Sequence, residues 1–171
     1  MTLNIPQLET TRLILRGPLE ADFQAMIAFG ASDRGKFIGG RMSQWDVWRS
    51  LLAGLGHWAL RGYGFWSVDR KDTGQMIGRV GMHLHDSWPE PELGWVIFDG
   101  HEGQGYAHEA ALAARSYAAR HFGLGPVISL IDPENTRSVA LAKRLGAAVE
   151  RRITFFDHPC DVYRHPEGVS I

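Results

Sequence analysis

Two glycines one residue apart, Gly103 and Gly105 in the stretch Glu102–Ala107, stand between an apolar run and a helix-favouring run. Glycine lets the backbone approach a ligand closely there. The first turn of the following helix presents unpaired N–H groups at its positive end, a setting for phosphate oxygens. The same spacing also describes an ordinary glycine-rich turn between strand and helix. Two nucleotide motifs come close and fall short. Gly30 to Lys36 reads G-x-x-x-x-G-K, but Phe37 occupies the place of the Ser or Thr that would hold magnesium. Gly103 and Gly105 begin G-x-G-x-x-G, yet His108 takes the last position, where a bulky side chain obstructs the close helix packing of a dinucleotide site. His83 and His85, one residue apart on a strand, share a face, and either could act as a base. A metal would need further ligands at recognisable spacing, and no metal is expected.

The elements that must position these residues follow from periodicity. Leu13 and Leu15 alternate in a β-compatible stretch that Pro18 ends, and a helix is predicted from about Glu20 to Phe29. Ser43 caps a second helix in which Trp45, Trp48, Leu52, Leu55 and Ala59 form one apolar face, assigned to the core. Three strands follow, Phe65–Val68, Gln75–Leu84 and Glu92–Phe98, with a turn around Gly74 that makes hairpin, antiparallel pairing the expectation. After the glycine loop, Ala107, Ala110, Ala111, Ala114, Tyr117 and Ala118 give a helix a small-residue face suited to packing on a sheet. Val127–Ile131 reads as a buried strand, Asn135–Leu145 as a helix closed by Gly146, and Ala148–Phe156 with Cys160–Arg164 as a final hairpin. The order β-α-α-β-β-β-α-β-α-β-β specifies an α/β (α+β) domain with a mixed sheet.

Composition bounds what this domain can be. The chain has 171 residues, 44% of them hydrophobic, without repeats or linkers, and one domain over residues 1–171 is expected. Its formal net charge of −1 creates no field that favours nucleic acid. No apolar run approaches the roughly 18 residues that span a bilayer. The N-terminal stretch lacks a basic-then-apolar signal pattern, so no membrane partner and a cytoplasmic location are expected. Cys160 is the single cysteine and closes no intrachain disulfide.

Two separated segments carry a family resemblance. HEGQGYAHEA after ELGWVIF, and PENTRSVALAKRLGA further on, resemble the two acyl-CoA-binding motifs of the GNAT N-acetyltransferases. LETTRLILRGPLEADF and MIGRVGM are similar to the branch that includes the bacterial ribosomal-protein N-terminal acetyltransferases. The resemblance runs from about Leu8 to Tyr163. It implies a mostly antiparallel sheet flanked by helices, with central strands splayed around the pantetheine arm of acetyl-CoA. It also implies that Gly103, Gln104, Gly105 and Ala107 form the pyrophosphate loop, that Asn135 lies near the pantetheine, and that Ser138 protonates the departing CoA thiolate. Val96 is the candidate to offer a backbone N–H to the thioester carbonyl. Glu92, matching the acidic residue that opens the family's central strand segment, is the first candidate for the base, with His83 or a water chain as alternatives and Tyr163 as a second acid.

One departure from the family pattern stands out. Glu102 and Gln104 occupy loop positions that usually carry positive charge, which weakens the expected CoA affinity; Arg137, Lys143 or Arg144 could compensate at the adenosine 3′-phosphate. The expected activity is direct acetyl transfer from acetyl-CoA to a primary amine, either a peptide N-terminus or a small molecule, by a monomer or homodimer. A non-catalytic acyl-CoA-binding module and a dinucleotide-dependent oxidoreductase are the alternatives.

Overall fold

The computed structural model describes residues 3–167. Its elements are β1 (Leu8–Glu9), β2 (Leu13–Arg16), α1 (Phe23–Gly30), α2 (Gln44–Arg61), β3 (Phe65–Arg70), β4 (Met76–His83), β5 (Glu92–Ile97), α3 (Tyr106–Tyr117), β6 (Ile128–Ile131), α4 (Thr136–Arg144), β7 (Ala148–Phe155) and β8 (His158–Arg164). The order read from periodicity holds, with the two-residue β1 added. All eight strands form one sheet in the order β1-β2-β3-β4-β5-β6-β8-β7. Every neighbouring pair is antiparallel except β5 and β6.

The main core lies between this sheet and α3. Alternation puts Leu13, Leu15, Trp66, Val68, Val80, Met82 and Leu93 on the covered face, each fully shielded from solvent. Ala110, Ala111, Ala114 and Ala118 of the α3 helix and its continuation are equally shielded, because their small side chains let the helix axis approach the strands. On the opposite face, α1 and α2 pack over Met76 and Phe98 through Met26, Val47 and Leu51.

The second helix starts where expected and buries a different side. Ser43 Oγ accepts the Asp46 N–H at 3.2 Å in a capping box, and Gly62 ends the helix at a φ of 76°. Its sequence carries two apolar stripes about 100° apart at 100° per residue. Val47, Leu51 and Trp58 are buried, whereas Trp45 and Leu52 are 65% and 48% exposed and Ala59 is also exposed. Spacing alone could not choose between the stripes; the neighbours did. The first helix also begins later than predicted, after a short 3-10 turn at Glu20–Asp22. There the Asp22 carboxylate accepts the Leu19 N–H at 2.9 Å and pairs with Arg16.

The site is created where the sheet opens. The parallel strands β5 and β6 meet at a single pair, Glu92 with Ile128. Polar side chains tie β5 to β6 and to α4 nearby. Glu92 Oε1 accepts the Leu130 N–H at 2.9 Å, Ser129 Oγ donates to the Leu93 carbonyl at 2.6 Å, and Trp95 Nε1 donates to Ser138 Oγ at 3.3 Å.

Candidate active site

The glycine loop lies at one end of this opening. Gly103 and Gly105 have φ of 71° and 81°, a left-handed conformation that favours glycine, and Gly105 is the residue before the first turn of α3. A Cβ built on Gly103 would meet nothing within 4 Å, so its backbone faces open space. The loop is braced from behind. Arg12 donates to the Gln104 carbonyl at 2.9 Å and to Glu109 at 2.7 Å, and it stacks on Tyr106.

A cavity of about 1000 Å³ runs from this loop past the end of β5 to α4. Gly103, Gly105, Ala107, Asn135 and Ser138 line it. Arg34, Lys36, Arg137 and Arg144 line it too, four basic groups against Asp33, Glu102 and Glu134. Arg34 forms an ion pair with Glu102, reaches Asp99 at 3.2 Å, and donates to the Ile97 carbonyl at 3.1 Å. Arg137 lies 3.8 Å from the same Glu102 carboxylate. The loop's unusual negative charge is therefore held by two arginines drawn from elements on either side.

A second cavity, about 360 Å³, lies between α2 and the strands β3, β4, β5 and β6, and takes in the β5–β6 opening. The two cavities share Phe37, Ile38, Trp95, Val96, Asn135 and Ser138 as lining residues, so they meet beside Ser138. Asn135 caps α4 by accepting the Ser138 N–H through Oδ1 at 3.3 Å, which fixes the Ser138 backbone at that junction. The indole N–H of Trp95 points at Ser138 Oγ, leaving the serine's own hydrogen free to be donated.

The small cavity carries an ordered set of polar groups. Glu92 is 8% exposed and takes three donors: His83 Nε2 at 2.8 Å and Trp88 Nε1 at 2.6 Å on Oε2, and the Leu130 N–H on Oε1. In the neutral ring, donation from Nε2 to the Glu92 carboxylate leaves the lone pair on Nδ1. That Nδ1 has no hydrogen-bond partner among the described residues. His57 is different, since its Nδ1 faces the Tyr63 carbonyl at 2.7 Å and its Nε2 accepts the Leu84 N–H at 3.0 Å. Burial also pushes its pKa down, so it stays neutral. The His85 ring stands 5.1 Å from that of His83, and burial lowers its pKa as well. Among the described residues, no group of three or more His, Cys, Asp or Glu side chains is arranged to hold a metal.

Four expected residues sit differently from their sequence assignment. The Phe98 N–H donates to the Ile77 carbonyl, so by ladder alternation Arg79 and Val96 are also a bonded pair. The Val96 N–H therefore faces β4, and the N–H groups that face the opening belong to Trp95 and Ile97. Val96 contributes its side chain to both cavities. Lys143 is exposed and lies off the cavity, because the turn of α4 presents Arg137, Leu141 and Arg144 there instead. The Gln104 amide folds back onto the Gly100 carbonyl at 3.2 Å and adds no lining. Tyr163 is 3% exposed against Ile131 and Ala142, away from both cavities. The sequence reading overlooked Arg34, Arg79 and Trp88. An arginine inside the apolar strand MIGRVGM and a tryptophan in the polar segment before β5 were the available signals for two of them.

Comparison with known proteins agrees with this geometry. The family model described as Acetyltransferase (GNAT) domain matches residues 12–148. YkkB of Bacillus subtilis, an uncharacterized protein, is 32% identical over 107 residues, a match spanning 60% of this chain and 62% of YkkB. YoaA of the same organism, an uncharacterized N-acetyltransferase, is 29% identical over 146 residues and 82% of both chains. The solved acetyltransferase from Agrobacterium tumefaciens superposes with a TM-score of 0.88 at 37% identity over 97% of both chains. RimL, a ribosomal L7/L12 alpha-N-protein acetyltransferase solved with coenzyme A, shares the fold, with a TM-score of 0.78 at 17% identity over 94% of this chain and 97% of RimL. With splayed strands, a glycine loop opening α3 and a family domain that covers most of its length, the chain belongs to the GNAT acetyltransferase family.

Proposed function

We propose that the protein transfers the acetyl group of acetyl-CoA to a primary amine by direct attack, with both reactants bound at once. The observation that carries this reading is the meeting of two cavities at Ser138, one lined by the glycine loop and the other by the Glu92–His83 pair. The residues present fit the cofactor. The open backbone at Gly103 and the start of α3 suit a pyrophosphate, and Arg34, Arg137 and Arg144 suit the remaining phosphate charge. Bound acetyl-CoA supplies a thioester at the junction. The cleft-facing N–H groups of Trp95 and Ile97 hold its polar groups in place of the missing ladder.

An amine attacks only when neutral, so a proton must leave it. His83 Nδ1 takes that proton, directly or through water, and Glu92 holds the ring by accepting from Nε2. Ser138, with its oxygen occupied by the Trp95 indole, gives its proton to the departing sulfur. Release of free thiol from acetyl-CoA, followed across a panel of primary amines and peptides with free N-termini, tests the reading. Amine-dependent thiol release that falls sharply in Ser138→Ala supports it. Tight acetyl-CoA binding with no release on any amine would leave a non-catalytic CoA-binding module instead.

A further inference from the structure

The smaller cavity holds a guanidinium that no carboxylate among the described residues contacts, although the charge of Asp22 is felt there. Arg79 stands on β4 opposite Val96 and lines this cavity, but not the larger one where the phosphates of CoA belong. A guanidinium has five N–H donors. One of those on Arg79 meets Ser50 Oγ at 3.3 Å, and the group lies 5.5 Å from the Phe65 ring centre. Among the described residues, no carboxylate pairs with it, because the nearby acids are engaged elsewhere. Asp22 is held by Arg16 and Ser67, Glu92 by His83, Trp88 and Leu130, and Asp132 accepts the Glu134 N–H.

The helix above leaves room for it. A Cβ on Gly54, in the middle of α2, would stand 3.2 Å from Arg79 Nη2. Glycine inside a helix costs about 1 kcal/mol relative to alanine, and here it keeps the space over the guanidinium open. Burial works against the charged form of Arg79, the usual consequence for a cation removed from water without a partner. A ligand oxyanion would supply that partner.

We propose that Arg79 anchors an oxyanion of the acceptor, so that the molecule acetylated is an amine that also carries a carboxylate or phosphate group. This deepens the acetyl-transfer reading and rests on it. Arg79 and His83 are four residues apart on β4, roughly 13 Å between their Cα positions, and both line the cavity. The reach of the arginine side chain shortens that span. A substrate lying along it places its anion at Arg79 and its amine toward His83 and the acyl junction. Planar pairing of guanidinium with carboxylate or phosphate gives the contact orientation as well as affinity.

The test uses matched amines with the intact protein and acetyl-CoA. Alanyl-alanine is compared with its C-terminal amide for carboxylate, and phosphoethanolamine with ethanolamine for phosphate. The wild type is expected to favour the anionic member of one pair by about tenfold or more in kcat/KM, mainly through KM, and the favoured pair identifies the anion. In Arg79→Gln the ratio collapses toward one, and in Arg79→Lys much of it survives. Acetyl-CoA affinity, read by calorimetry, stays near wild type in both variants if they fold. Equal turnover of both members of both pairs by the wild type, or a ratio that persists in Arg79→Gln, overturns the inference and leaves acetyl transfer standing. Acetyl-CoA binding without transfer to any of the four amines overturns both.

Discussion

At the scale of single residues, the chemistry depends on which lone pairs and hydrogens remain free. Glu92 has three donors on its carboxylate, so in the proposed mechanism it acts through His83 rather than on the amine. His83→Ala should lower kcat by roughly 10² to 10⁴ with a smaller change in amine KM, the range for losing a general base. Glu92→Gln should lower kcat less. Steady-state rates for both variants decide this, and a larger loss in Glu92→Gln than in His83→Ala would return the base to the carboxylate. Glu102 poses a separate question, because its charge opposes CoA while it also holds Arg34 and Arg137 at the cavity wall. Exposed pairs are worth about 0 to 1 kcal/mol, so Glu102→Gln should tighten acetyl-CoA binding up to about fivefold by freeing both arginines. Weaker binding in that variant would make Glu102 a positioning group for Arg34. Neither arginine contact was readable from sequence, since Arg34 lies far along the chain from the loop it joins.

At the scale of elements, the loop before α3 and the gap beside β5 must both keep their backbone shape. Gly103 holds a φ of 71° over open space, so Gly103→Val adds roughly 1 to 2 kcal/mol of strain and fills the cradle. Calorimetry should show acetyl-CoA affinity falling at least tenfold, with the far-ultraviolet spectrum unchanged; undiminished affinity would place the phosphates elsewhere. Gly78 has a different task. A Cβ there would run into the Val96 carbonyl of the neighbouring strand, so Gly78→Ala should destabilise the β4–β5 pairing and lower the urea midpoint. The loop, α3 with its alanine face, and the start of α4 near Asn135 were legible, because each rests on local spacing. The buried side of α2 was not. Trp45 and Leu52 match a helical stripe as well as Val47, Leu51 and Trp58 do, and only the packing of α1 and the sheet decides which stripe is covered.

At the scale of the whole molecule, the splayed sheet is held by polar groups that couple distant segments. His165, 1% exposed, receives an N–H from Arg115 on Nδ1 at 3.1 Å and lies 2.8 Å from Ser129 Oγ through Nε2, while Ser129 donates to the Leu93 carbonyl on β5. Burial, aided by the charge of Arg115, pushes the His165 pKa down from 6.5 to about 4. The unfolded chain therefore takes up a proton between those values that the folded one refuses. Stability should be full above pH 6.5 and decline as pH falls toward 4, by about 3 kcal/mol at the lower end. Urea unfolding at several pH values checks this, and His165→Gln should lose that part of the slope. Apart from the two-residue β1, the element order was legible because alternation and helical spacing are local signals. The side chains that tie β5 to β6 and α4 were not, since each contact joins residues far apart in sequence. The central claim is that the two cavities meeting at Ser138 form an acetyl-CoA-dependent transferase site, and its cofactor half can be tested first by calorimetric titration with acetyl-CoA, with NAD as the control. One site of micromolar affinity for acetyl-CoA and no heat with NAD are expected. No binding of acetyl-CoA, or equal binding of NAD, would contradict that claim.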